Sequence, residues 1–247
     1  MRDFQSIVFF WIGENTSIPK SLVYTTRLVM GDSVNIVQLT NNNTEEINGV
    51  TSVKRYELPE QIMLARLKAY SKYEPETEEV FFCDADSIFI NKLSLPKNKE
   101  QKIFLTPRQQ DFKINATYPE YYEEFVNKTA KEVMPFLFGA IATRDNQQIF
   151  FKELLNICLK LPNRFHRWYG DQYSLKKYIE GGFDEFQNLD TKIYLNVLRE
   201  QLKPKYLEKA FKENVQLITF KGPDSKTHLE QAVILLDYFC KNMDTEI

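Results

Sequence analysis

Two carboxylates spaced two residues apart, Asp84 and Asp86, close the apolar run Phe81-Phe82-Cys83. In an extended segment, positions i and i+2 point to the same side, so both carboxylates can face one site. Their oxygens are hard ligands suited to Mg²⁺ or Mn²⁺, ions that take few protein carboxylates and complete their shell with phosphate oxygens and water. A surface turn, where Asp is common, is the plain structural reading. The position at the end of a buried strand favours a site, because ligands of open parallel sheets bind beyond the carboxyl ends of the strands. Arg66 also calls for explanation. It borders the apolar stripe of Met63, Leu67 and Tyr70, and a charge there needs a partner. Asp171 stands where a helical stretch begins, as a cap, as a carboxylate aimed at a site, or as both.

The elements that must position these residues follow from the apolar pattern. Ile7 to Ile12 is a continuous apolar run ending at Gly13, the pattern of a strand buried on both faces. A helix opening at Ile18-Pro19-Lys20, a strand over Val34 to Leu39 and a short strand over Val53 to Leu58 come next. Pro59 suits the first turn of the helix that carries Arg66. Alternating strands and helices predict an α/β fold with a mainly parallel central sheet flanked by helices. In the second half, Phe136 to Ala142 reads as a buried strand and Asp145 as an N-cap for the helix bearing Phe150, Leu154 and Leu161. A helix over Asp171 to Glu180 stops at Gly181-Gly182. Gln216 to Phe220 reads as a last strand, and Thr227 with Glu230 as a capping box before the final helix.

Size and charge bound the rest. The 247 residues fit one domain, which buries roughly three quarters of its unfolded surface and needs no covalent staples. A net charge of -2 gives no basic face for nucleic acid. Cys83, Cys158 and Cys240 each lie in apolar runs, which fits reduced thiols and a cytoplasmic location. The first apolar run is too short for a signal peptide, and no segment approaches a membrane span of roughly 20 apolar residues. The amphipathic stretch Leu229 to Phe239 leaves peripheral contact with the inner face of a membrane open, with packing on the sheet the commoner use.

Taken in order, several short blocks resemble the GT-A superfamily of nucleotide-diphospho-sugar glycosyltransferases. The resemblance is closest to bacterial enzymes of surface-polysaccharide synthesis and more distant to the glycogenin-like retaining family. The blocks are Phe9 to Gly13, Met63 to Arg66, Phe81 to Asp86, Phe138-Gly139-Ala140, Gly170-Asp171-Gln172, and Phe220-Lys221-Gly222 with Lys226. The resemblance implies one GT-A domain over 1–247, with a nucleotide-binding half (1–90) and an acceptor-binding half with a closing C-terminal loop (91–247). It implies a nucleotide-sugar donor, most readily a UDP-sugar, a saccharide or glycolipid acceptor, and Mn²⁺ or Mg²⁺ as cofactor.

By the same resemblance Trp11 and Gly13 would line the base pocket, and Arg66 would reach the donor site unless it serves only a structural ion pair. Asp84 would contact ribose or metal, and Asp86 would ligate the metal. Gly139 would let the backbone approach substrate, or else serve tight strand packing. Asp171, with Gln172 as a weaker companion, would face the transferring sugar or the acceptor. Lys221, Gly222 and Lys226 would close over the diphosphate and stabilise the charge growing on the leaving oxygen, if they are not simply solvated. The aromatic run Phe165 to Tyr169, more often core than site, offers rings that could stack on an acceptor sugar. Arg108 and Asp111 are undecided between acceptor contact and none.

One position departs from the pattern. A His usually precedes the aromatic-Lys-Gly element and completes the metal site; here Thr219 stands there, and His228 is the substitute ligand or a helix-end His. The departure keeps open a non-catalytic nucleotide- or partner-binding scaffold. A haloacid-dehalogenase-like phosphatase also carries D-x-D, but wants it on the first strand, whereas more than 80 residues precede it here. Asp171-Gln172, with Leu189-Asp190 and Tyr194-Leu195-Asn196, leans towards retention of configuration.

Overall fold

The structure, a computed structural model, describes residues 6–96, 100–109, 111–114, 122–145, 147–190, 194–196, 202–220 and 225–243. Strand β1 (Ser6–Phe10) is buried along its whole length, as its unbroken apolar run requires. It lies between β2 (Asn35–Thr40) and β4 (Glu79–Cys83), parallel to both, and β3 (Ser52–Arg55) extends the parallel set beyond β2. On the other side of β4 come β7 (Phe136–Arg144), β6 (Ile103–Pro107) and β8 (Gln187–Asn188). The order is therefore β3-β2-β1-β4-β7-β6-β8. Only β7 runs against its neighbours, and it pairs with both β4 and β6.

Helices cover the two faces of this sheet. Leu22 and Val23 of α1 (Ser17–Met30) pack on one face with Ile7, Phe9 and Phe81. On the other face, Val8, Phe82 and Ile141 meet three helices. These are α2 (Ile62–Lys72), α4 (Gln148–Lys160) and α6 (Gly170–Glu180). Such side chains alternate along each strand, so one strand feeds both cores. Truncating a fully buried one, such as Ile7, to Ala leaves a cavity costing about 2–5 kcal/mol.

A second, three-stranded sheet was not expected from the sequence. In it β10 (Leu217–Thr219) pairs antiparallel with β5 (Ser87–Phe89) and parallel with β9 (Tyr194–Asn196). Its apolar face packs under α7 (Pro204–Lys212) and α8 (Ser225–Met243) through Ile88, Ile218, Leu207, Leu229 and Leu236. The remaining helices are short: α3 (Ala130–Val133) and α5 (Asn163–Arg167). No helix among the described residues is long and apolar enough to cross a membrane.

Four boundaries differ from the sequence reading. Pro59 precedes its helix, which starts after Gln61, so the proline ends the approach rather than opening the first turn. Asp145 is not the cap of α4. Its backbone is left-handed (φ 58°), its carboxylate pairs with Lys102, and Gln147 holds the capping position. Asp171 lies one residue inside α6, whose cap is Tyr169. Thr227 likewise falls inside α8, which begins at Ser225.

Candidate active site

Asp84-Ala85-Asp86 is the crossing point between the two sheets. Asp84 follows the last residue of β4, and Ala85 and Asp86 form a turn that delivers the chain into β5. The segment is thus a turn rather than an extended run, because the chain changes sheets there. Each aspartate is fastened to a different sheet. The Asp84 N–H donates to the Gly139 carbonyl of β7 at 3.2 Å, while the Asp86 carbonyl accepts from the Phe220 N–H at 3.1 Å.

The Asp84 side chain receives Arg66 Nη1 at 2.8 Å. The same guanidinium pairs through Nη2 with Asp171 Oδ2. Arg66 therefore bridges the end of β4 and the first turn of α6. Asp171 is fully buried, so its charge depends on this partner. Its Oδ1 also accepts the Gln172 N–H at 2.6 Å, which suits a carboxylate at a helix N-terminus. The Arg66 guanidinium lies 4.9 Å from the centre of the Phe138 ring, a cation–π contact that fixes its plane.

Two glycines hold this arrangement by what they lack. A Cβ on Gly139 would sit 2.2 Å from Asp84 Oδ2, and one on Gly170 would sit 2.1 Å from the Phe165 carbonyl. Gly139 thus leaves space for the aspartate, and Gly170 lets α6 start against α5. Between α5 and α6, Tyr169 is left-handed at φ 62°, a conformation that costs a bulky residue on the order of 1–3 kcal/mol. Its ring is held by Tyr122 and Phe125, with ring centres 5.5 Å away in each case.

Other predicted residues divide by position. Trp11 and Gly13 follow β1. The Trp11 N–H donates to Leu39, Gly13 takes φ 136° and donates to Thr44 Oγ1, and the buried Trp11 Nε1–H meets no acceptor among the described residues. Gln172 accepts from Arg108 Nη2 at 2.6 Å, and buried Arg108 also donates to the Met134 carbonyl. Arg108 is therefore a brace behind the site, while Asp111 is exposed. Lys221 and Gly222 lie outside the described residues; Lys226 is exposed and His228 half-buried in the first turn of α8. Among the described residues no three His, Cys, Asp or Glu side chains form a metal cage.

Thr219, where the resemblance expects a His, donates its hydroxyl to Asp86 Oδ1 at 3.1 Å. The sequence marked this position only as a departure. The β10 register, which sets Thr219 opposite Ser87, turns it into a partner of Asp86. The sequence left Arg108 undecided and placed Phe138 only in the block around Gly139; the structure sets Arg108 behind Gln172 and Phe138 under Arg66.

Two of the three thiols are pushed towards their neutral form. Burial, together with the charges of Asp84 and Asp86, pushes the Cys83 thiol well above its ordinary value. Burial lifts Cys158 to about 11. Cys83, Cys158 and Cys240 are unbridged.

A mainly parallel sheet in the order 3-2-1-4, an antiparallel strand beside β4 and an acidic turn where the chain changes sheets make up a GT-A-type α/β fold. Among solved structures, the chain is similar to a glycosyltransferase involved in the glycosylation of the major capsid of PBCV-1. The two share 12% identity over 92% of this chain and 98% of that one, with a TM-score of 0.57. No family model and no curated protein matches the sequence.

Proposed function

We propose that the protein is a glycosyltransferase that moves a sugar from a nucleotide-diphosphate sugar, a UDP-sugar in the first instance, to a hydroxyl of a saccharide or glycolipid. The observation that carries this reading is the Arg66 bridge. It joins an aspartate at the carboxyl end of β4, where such sheets bind ligands, to a buried carboxylate on α6.

The donor set at the turn fits a hard divalent cation: two carboxylates, Asp84 and Asp86, leave room for phosphate oxygens and water in the shell. Mn²⁺ or Mg²⁺ held there would neutralise the charge that grows on the leaving diphosphate. Trp11, half-buried after β1, and Gly13 line the nucleotide side. Lys226, exposed in the first turn of α8, adds positive charge for the diphosphate; Lys221 and Gly222 lie outside the described residues.

In the transfer, the acceptor oxygen bonds to the anomeric carbon while the bond from that carbon to the diphosphate oxygen breaks. The electron pair leaves with the diphosphate. Asp171 is fully buried and paired with Arg66, so it is poorly placed to take a proton from an acceptor. Its charge acts instead through Arg66, which it holds against Asp84 at the donor end of the site. The acceptor proton then passes to the departing diphosphate oxygen, which is the retaining course. Gln172, braced by Arg108, is set to orient sugar hydroxyls.

A thermal-shift series with UDP-, GDP- and CMP-sugars, with and without Mn²⁺, tests this reading. A donor at a hundred times its Kd adds about 2.7 kcal/mol of stability. The UDP-sugar should stabilise most, with metal, and Asp84→Asn should remove the effect. Stabilisation that survives Asp84→Asn would place the nucleotide elsewhere. The Thr219–Asp86 contact favours one second reading, a nucleotide-binding scaffold. Stabilisation without turnover on any acceptor would select it.

A further inference from the structure

One cavity lies beside the aspartate turn's supporting helices, lined by Glu60, Gln61, Ile62, Arg167 and Trp168, the last two from the aromatic run before Gly170. Its volume, about 320 Å³, falls within the range of small-molecule sites, roughly 300–1,000 Å³. Trp168 is 49% exposed, unusual for the largest apolar side chain, and contributes an indole face to the cavity. Around it stand a carboxylate, an amide and a guanidinium, all on exposed residues. An aromatic face with hydrogen-bonding groups at its rim is the chemistry that recognises a pyranose ring, whose C–H face packs on the aromatic surface while its hydroxyls meet the polar groups.

The cavity is tied to the Arg66–Asp171 pair on both of its walls. Ile62 stands one helical turn before Arg66 on α2. On the other wall, Trp168 is separated from Asp171 only by Tyr169 and Gly170. Those two residues are the left-handed tyrosine and the glycine pressed against Phe165. The sharp turn sends the Trp168 ring outward to the cavity and the Asp171 carboxylate inward to Arg66.

We infer that this cavity is the acceptor subsite and that it takes a pyranose ring of a saccharide against Trp168. The inference rests on the transferase reading for the word acceptor, but the binding of a sugar does not require turnover. Only two tryptophans are present, Trp11 half-buried and Trp168 49% exposed, so the acrylamide quenching that is lost in Trp168→Ala isolates the Trp168 signal. Methyl α- and β-glycosides of glucose, galactose and mannose are added to the wild-type protein, and their affinities are measured by fluorescence and by saturation-transfer NMR.

At least one glycoside should shield Trp168 from acrylamide. Trp168→Ala should weaken its binding by about tenfold or more, the scale of one lost aromatic contact, with Trp168→Phe between the two. Glu60→Gln, at an exposed position, should also weaken binding, and carries the same test if Trp168→Ala does not fold. Absence of shielding by every glycoside, or equal affinities in wild type, Trp168→Ala and Glu60→Gln, would overturn the inference. Hydrolysis of nucleotide sugars by the wild-type protein is measured separately. Its absence counts against the transferase reading alone, whereas indifference of glycoside binding to Trp168 counts against the subsite alone.

Discussion

Gly139 and Asp84 occupy each other's space so closely that a single methyl group cannot be added between them. A Cβ at position 139 would come within 2.3 Å of Asp84 Cγ. The glycine is thus a condition for the position of the aspartate, which Arg66 then fixes from the other side at 2.8 Å.

Gly139→Ala should therefore displace the Asp84 carboxylate while leaving the sheet intact. Overpacking of this kind costs about 1–3 kcal/mol, within what the fold tolerates. Donor affinity measured by calorimetry should fall by about tenfold or more, with a cooperative melting transition retained. Undiminished donor binding would separate Asp84 from the donor site.

Arg66→Ala removes the counter-charge of a carboxylate with no solvent exposure. Breaking a buried pair by deleting one partner costs about 3–5 kcal/mol, because the other charge is left stranded. Denaturant unfolding should show a loss of this order for Arg66→Ala. The double variant Arg66→Ala/Asp171→Asn should recover part of it, since the stranded charge is gone. Additive losses would mean that the two side chains do not depend on each other.

The apolar runs made much of this legible in advance. Ile7 to Ile12 reads as a doubly buried strand because it is too short for a helix and ends at Gly13, and β1 is central and buried throughout. Strand direction was not legible at Phe136 to Ala142, because hydrophobicity reports burial on both faces and says nothing of polarity along the chain. Of the small sheet only β10 was legible, within Gln216 to Phe220; β5 and β9 hold three residues each, too few to show a period. At the site, the sequence showed that Arg66 needs a partner and left the partner open. Two acids, 18 and 105 residues away along the chain, share it. Only tertiary structure brings such positions together. Lys221 and Gly222 fall outside the described residues.

Thr219→Val keeps the shape of the side chain and deletes the hydroxyl that donates to Asp86. The loss in stability should be about 1 kcal/mol, the worth of an ordinary hydrogen bond. Thr219→His would put an imidazole beside Asp86 and should tighten Mn²⁺ binding, read by electron paramagnetic resonance of the free ion. Unchanged Mn²⁺ binding in Thr219→His would detach the metal from Asp86.

Alkaline stability should depend on Tyr73. Burial, aided by Glu76, raises its phenol from 10.0 to about 12. A raised folded value means that the stabilising contribution is complete below pH 10 and is lost as pH climbs towards about 12. Denaturant titrations across that window should show a shallower loss in Tyr73→Phe than in wild type. Identical slopes would remove Tyr73 from the account.

The central claim is that Asp84 and Asp86 would hold, through a divalent cation, the diphosphate of a nucleotide sugar for cleavage at the anomeric carbon. It is tested most directly by the slow release of UDP from a UDP-sugar in the presence of Mn²⁺, water standing in for the acceptor. The wild-type protein should release UDP, and Asp86→Ala should lower the rate by at least about 10²-fold, the usual consequence of losing one electrostatic stabiliser of a leaving group. An Asp86→Ala protein that releases UDP at the wild-type rate would contradict the claim.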